Sequence, residues 1–255
     1  MLLAIDIGNT TTILGIFKND KLIECWRIAS THTRTIDESW LTVKLLFHNS
    51  NIKIGEIKGV IISSVVPQLT HIFQLMSKKY LKIEPVIVTN TLNLELKILY
   101  KNPSEIGADR LCNAVAGKHL YKPPLIIVDF GTATTFDVLS PEGDYIGGVI
   151  CPGLETAAND LIRRAARLYK VEYIFPEKII GDTTTHAMQS GILYGHITMI
   201  DGIIERIKEE LKINNFNIIS TGGIADEVSD KSKYIQIVDP DLTLKGLNII
   251  YKLNK

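Results

Sequence analysis

The sequence predicts an α/β protein built from two copies of one strand-and-helix unit, and three observations carry that reading. Short apolar runs of strand character alternate with segments of helical periodicity along the 255 residues. The opening LLAIDIGNTTT, Leu2 to Thr12, sets directly over LIIVDFGTATT, Leu125 to Thr135, sharing Leu2/Leu125, Asp6/Asp129, Gly8/Gly131, Thr11/Thr134 and Thr12/Thr135. Each copy then runs through a strand into a polar turn, KNDK at Lys18 and PEGD at Pro141.

Taken in order, LLAIDIG, TTTILGIF and LIECWRI read as three successive strands. Thr35 and Glu38 form a T-x-x-E capping box, after which Trp40, Val43 and Phe47 recur at helical spacing. GVIISSV is a buried strand, and Pro67 opens a helix with Leu69, Ile72, Phe73 and Met76 on one face. VIVTN is a strand again. A helix follows Pro103 through Leu111 and Val115, starting near Ser104 or Gly107. In the second copy, helices are expected over residues 154–168 and from about Thr185 to Leu211. A strand is expected at NIIS, and a closing helix from Leu242 to Leu253. The domain boundary falls at Tyr121-Lys122-Pro123-Pro124, giving domains of residues 1–120 and 121–255.

Hydrophobic residues at 45% and charged residues at 22% suffice for a packed core. Lysine plus arginine balances aspartate plus glutamate at 28 each, which gives no footing for nucleic acid as the main partner. Cys25, Cys112 and Cys151 are far apart and form no C-x-x-C pair, as expected of reduced thiols in the cytoplasm. The first apolar run lacks a preceding basic region and is interrupted by Asp6, and no apolar stretch reaches about 18 residues. Neither an export signal nor a membrane span is expected.

The repeated Asp-x-Gly loop has two readings: an ordinary hairpin turn rich in hydroxyls, or a phosphate loop. In the second reading, Gly8 and Gly131 let an anion approach the backbone, and the following amides and threonines donate to phosphate oxygens. The carboxylates hold a hydrated cation. NIISTGGIA, Asn217 to Ala225, ends a strand in a glycine pair that would admit a flat ligand such as adenosine. In NPSEIGADRL, Asp109 lies in the first turn of a helix, with Arg110 beside it. These suit a general base and a carboxylate fork, or a helix-start acid and a surface arginine.

DIGNT at Asp6, GADR at Gly107, DFGTATT at Asp129, GGVICPG at Gly147 and STGG at Ser220 occur in one order that resembles the type III pantothenate kinases. AMQSGILYG at Ala187 and LTLKGLNIIY at Leu242 fit the same family, so the resemblance spans the chain. It implies two ribonuclease-H-like, actin-like ATPase domains with a nucleotide cleft between them, and phosphorylation of pantothenate by ATP, the first step toward coenzyme A. Asp6, Ile7, Gly8, Asn9, Thr10, Thr11, Thr12 and Ile13 would form the first phosphate loop, with Asp6 near Mg²⁺ through water. Thr132 would contact the ATP phosphates, Asp129 would hold K⁺ or NH₄⁺, and Gly222 and Gly223 would lie by the adenosine. Tyr100, Gly107, Ala108, Asp109 and Arg110 would line the pantothenate pocket, Asp109 acting as base. Thr184 would reach substrate from the partner subunit of a homodimer; its plain role is to cap the helix carrying Met188 and Ile192. The stretch RRAARLYKVEYIFP matches only loosely and carries no assigned residue. Other readings on the same fold are a kinase of another small alcohol, a non-catalytic transcriptional accessory factor, and an actin-like filament former.

Overall fold

The computed structural model describes all 255 residues, Met1–Lys255. They form two compact units, one of residues 1–120 with 241–255 and one of residues 121–240. No helix is long and apolar enough to cross a membrane.

The first unit begins with three antiparallel strands, β1 (Leu2–Ile7), β2 (Thr11–Lys18) and β3 (Lys21–Ala29). Asn19 and Asp20 both take positive φ, 47° and 69°, giving a two-residue turn whose twist matches that of the strands it joins. Helix α1 (Ile36–Asn49) starts at the complete Thr35/Glu38 capping box. The chain then adds β4 (Gly59–Ser64) parallel to β1, α2 (Pro67–Met76) and the short β5 (Val86–Ile87). Helix α3 spans Ala108–Leu120. The sheet order is β3-β2-β1-β4-β5. Alternation along β1 sends Leu3, Ile5 and Ile7 into a core with Trp40, Phe47, Leu69 and Phe73 of α1 and α2, leaving Asp6 on the opposite face.

The second unit repeats this plan. Strands β6 (Leu125–Phe130), β7 (Ala133–Leu139) and β8 (Tyr145–Pro152) are antiparallel, followed by α4 (Leu154–Arg164) and the long α5 (Thr184–Leu211). Then come β9 (Asn217–Gly222) parallel to β6, α6 (Ala225–Ser229) and β10 (Ile237–Val238). The order is β8-β7-β6-β9-β10, strand for strand that of the first sheet. Here Ile126, Val128 and Phe130 face a core with Ile197, Ile200 and Ile204 of α5, and Asp129 takes the other face.

Four expectations are corrected. The gapless overlay of the two motifs fails after the glycine, because Ile7 pairs with Thr12 whereas Phe130 pairs with Thr134. The second loop is one residue tighter, so Thr134 matches Thr12, and both are buried at 1% exposure. The closing helix, α7 (Leu242–Leu253), packs on α3, β1 and β4 and belongs to the first unit, not to a 121–255 domain. Gly246 allows this, since a Cβ there would meet the backbone of Cys112. The helix expected to reach residue 168 stops at Arg164, because the following aromatic and β-branched run lies along α5. Gln189 and Ser190 donate to its Glu172 and Ile179 carbonyls at 2.8 and 2.5 Å, and Tyr194 to that of Pro176 at 3.0 Å. The strand expected at VIVTN is only two residues long, since Thr89 already turns the chain to Leu92.

Candidate active site

In the first unit, Asp6 stands at the penultimate position of β1, directly beside Ser63 of β4. The Ser63 hydroxyl donates to Asp6 Oδ1 at 2.8 Å. The loop after Asp6 closes through Gly8 N donating to Thr11 O at 3.0 Å. Ser30, following β3, braces it: its Oγ donates to Gly8 O at 2.7 Å and lies 2.8 Å from Thr12 Oγ1. Asn9 and Thr10 are exposed and Ile13 is half-buried, whereas Ile7 and Thr12 are buried. A phosphate at this loop would therefore meet main-chain amides and the side chains around Thr10; Ile7 and Thr12 serve as its anchors.

The GADR segment enters the same face. Asp109 lies in the first turn of α3, and its Oδ1 accepts from Arg110 N at 2.8 Å. Gly107 leaves room for that carboxylate, since a Cβ there would meet Asp109 Oδ1. Burial pushes the Asp109 carboxyl above its ordinary range, opposed by the Arg110 amide and the nearby guanidinium. Arg110 is itself 93% buried, so the plain reading of a surface arginine does not hold. One turn further along α3, the Cys112 thiol lies near Ser63 and feels the charges of both Asp6 and Asp109. Burial, with those two carboxylates, raises the thiol well above its usual value. The structure thus brings together two acids about 100 residues apart in sequence around Ser63 and Cys112. Tyr100 is half-buried in the irregular stretch ahead of this segment, and Ala108 is buried.

In the second unit, Asp129 pairs with Thr135 on one side and Thr221 on the other. The loop at Gly131 closes through Gly131 N to Ala133 O at 3.1 Å. The start of α4 straps it: Gly153 N and Thr156 Oγ1 both donate to Thr132 O, at 3.1 and 2.7 Å, leaving the Thr132 side chain exposed. Gly153 is the last residue of the GGVICPG segment, and Thr156 lies in the first turn of α4. The glycine pair reaches the same loop, with Gly223 N donating to Phe130 O at 3.1 Å. Gly222, at φ 101°, packs against the Phe130 backbone; a Cβ on Gly223 would meet nothing within 4 Å.

Thr184 lies elsewhere in the second unit, exposed at the start of α5. The cap there is Thr183, whose side chain accepts from His186 N at 3.1 Å, so the capping role expected of Thr184 falls one residue earlier. Thr184 instead borders an apolar cavity of about 690 Å³ between α4 and α5, with Leu161, Met188 and Ile192.

Residues 2–206 match the model of the type III pantothenate kinase family. The chain belongs to that family. A relative from Bacillus cytotoxicus, named type III pantothenate kinase, is 46% identical over 254 residues, covering 100% of this kinase and 97% of that one. Among solved structures, a conserved Campylobacter jejuni protein assigned to the Baf family of transcriptional activators aligns at TM-score 0.64 and 17% identity. The alignment covers 99% of this chain and 98% of that one. Component A of the Acidaminococcus fermentans (R)-2-hydroxyglutaryl-CoA dehydratase aligns at 0.58 and 14% identity, over 100% and 99%. These two share the fold. Family membership places the kinase among phosphotransferases with an alcohol acceptor, acting in coenzyme A biosynthesis.

Ser30, Ser63, Cys112 and Thr156 escaped the sequence reading of the kinase. Ser63 alone left a signal there: with Ser64 it makes a polar end to an otherwise apolar strand.

Proposed function

We propose that this chain phosphorylates pantothenate with ATP, Asp109 taking the proton of the acceptor alcohol. The assignment is carried by the family match over residues 2–206, and within the fold it is supported by Asp6, held by Ser63, and by the Asp109 carboxyl, pushed upward by burial at the start of α3. A base held nearer neutrality removes a proton more effectively than an ordinary surface carboxylate. Arg110 suits the substrate's carboxylate, and Tyr100 with the backbone of Gly107 and Ala108 would complete the pocket. Asp6 to Ile13 and Thr132 would hold the phosphates, and Gly222 and Gly223 the adenosine. Phosphoryl transfer then rests mainly on positioning and charge neutralisation.

No group of three or more His, Cys, Asp or Glu side chains forms a protein-only metal cage. A single carboxylate beside a phosphate loop suits Mg²⁺, which is commonly held by one or two carboxylates with waters and substrate phosphates. Asp6 would hold it through water, where it neutralises charge on the phosphates. Asp129, half-buried beside Thr135 and Thr221, offers oxygen donors for K⁺ or NH₄⁺. In this reading Thr184 reaches substrate from the partner subunit of a cytoplasmic homodimer.

The test is ADP release with a panel of small alcohols. Release chiefly with pantothenate is expected; release without preference would remove the substrate assignment, and no release would remove the kinase. Rates should be low in sodium-only buffer and rise on adding K⁺ or NH₄⁺, and equal rates would remove Asp129 from the cation's shell. Ser63→Ala leaves Asp6 without one charge-assisted hydrogen bond. It should raise the Mg²⁺ needed for half-maximal rate by about tenfold, in line with the worth of such a bond. An unchanged Mg²⁺ titration would show that Ser63 does not orient Asp6.

A further inference from the structure

The second unit holds a cavity of about 510 Å³, within the range of small-molecule sites, walled by the segments that lead into β6, β9 and β10 and by the last turns of α5. Three lysines line it, Lys122, Lys208 and Lys233, and no carboxylate does. In a chain of zero net charge that is a marked local excess. None of the three ammonium groups forms an ion pair, and the side-chain amides of Asn214 and Asn215 make no hydrogen bond within the protein. The Lys208 ammonium sits 4.9 Å over the ring of Tyr234.

The walls are held in place. Asn217 Nδ2 donates to Lys122 O at 2.6 Å, and Gln236 Oε1 accepts from Ile218 N at 3.2 Å. Asp201 accepts from Ser232 Oγ at 2.6 Å and from Lys233 N at 3.1 Å, so its carboxylate fixes the Lys233 backbone. The cations are therefore carried on braced segments, which lowers the ordering cost of binding. The cavity lies at the start of β6 and the Asp129 loop at its end, five residues on, or roughly 17 Å at the usual strand rise.

We infer that this cavity is a second anion site, separate from the Asp129 loop, for a small molecule carrying a chain of phosphates. Three lysine point charges with free amide donors suit several phosphate oxygens at once, where a single carboxylate would engage fewer. The inference does not rest on the pantothenate kinase reading.

The test uses the full chain without nucleotide, titrated calorimetrically with inorganic tripolyphosphate and, separately, with ADP. Two equivalents of tripolyphosphate should bind, the one held by the three lysines weakening about tenfold or more between roughly 0.05 and 0.5 M salt. The Lys208→Ser/Lys233→Ser variant should bind it at least about tenfold more weakly while keeping its melting temperature and its rate of ADP release. Tighter binding of ADP at this site would add the Tyr234 ring to the recognition. Absence of a second equivalent, or equal binding by the variant, would overturn the inference. Binding of heparin or RNA with none of tripolyphosphate would also overturn it, in favour of a macromolecular face.

Discussion

Asp109→Asn should lower kcat by about 10² or more, the usual worth of a positioned base. The variant keeps the shape of the side chain and loses its proton acceptor. ATP affinity, measured separately, should hardly change, because the loops at Gly8 and Gly131 do not contain it. The direction of the pKa shift adds a second readout. A carboxyl raised in the folded state binds protons more tightly there than in the unfolded chain. Its stabilising effect is present below the unfolded value of about 3.9 and is lost as pH rises through the folded value. At neutral pH the charged Asp109 is thus a burden on the fold. Asp109→Asn should melt higher than the parent at pH 7, and the gain should vanish in acid. The acid limb of the parent's kcat/KM profile should fall above the ordinary aspartate range and disappear in the variant. Near-full kcat would end the assignment, and an unchanged melting temperature across pH would show that burial does not strain the carboxylate.

The two glycines of STGG should separate folding from ligand approach. Gly222→Ala places a Cβ at φ 101° against the Phe130 backbone, and the fold should lose about 3 kcal/mol, read as a large fall in melting temperature. Gly223→Ala meets open space, so its stability should stay within about 0.5 kcal/mol of the parent. Its KM for ATP should nevertheless rise about tenfold if the adenosine lies there, the equivalent of about 1.4 kcal/mol of lost contact. A Gly223→Ala enzyme with unchanged KM would take the nucleotide away from this turn.

Much of this was readable in the residues. Local signals worked where the physics is local: Thr35 and Glu38 cap α1, Pro67 opens α2, and the Asn19-Asp20 turn joins β2 to β3. The duplicated order of strands followed from the repeated Asp-x-Gly motif, whose recurrence is visible by eye. The one-residue difference between the two loops was not visible, because threonines fill both possible registers and only pairing to Ile7 and Phe130 decides between them. The bond from Ser63 to Asp6 was hidden for a similar reason, since it depends on β4 lying beside β1. No periodicity in a single segment reports which strand neighbours which.

The return of α7 to the first unit sets an order of assembly during synthesis. The unit that starts first is sealed last, because Leu244 and Gly246 must reach Gly15 and Cys112 across the 120 residues of the intervening unit. At roughly 5–20 residues per second, β1 with its Asp6 waits about 6–24 s after residue 120 for its covering helix. The downstream unit, continuous in sequence, gains its strands over that interval and has the last of them, at Val238, before α7 is made. The later-made half is therefore positioned to mature first, and the apolar flank of β1 and β4 is the nascent surface that a chaperone would have to shield.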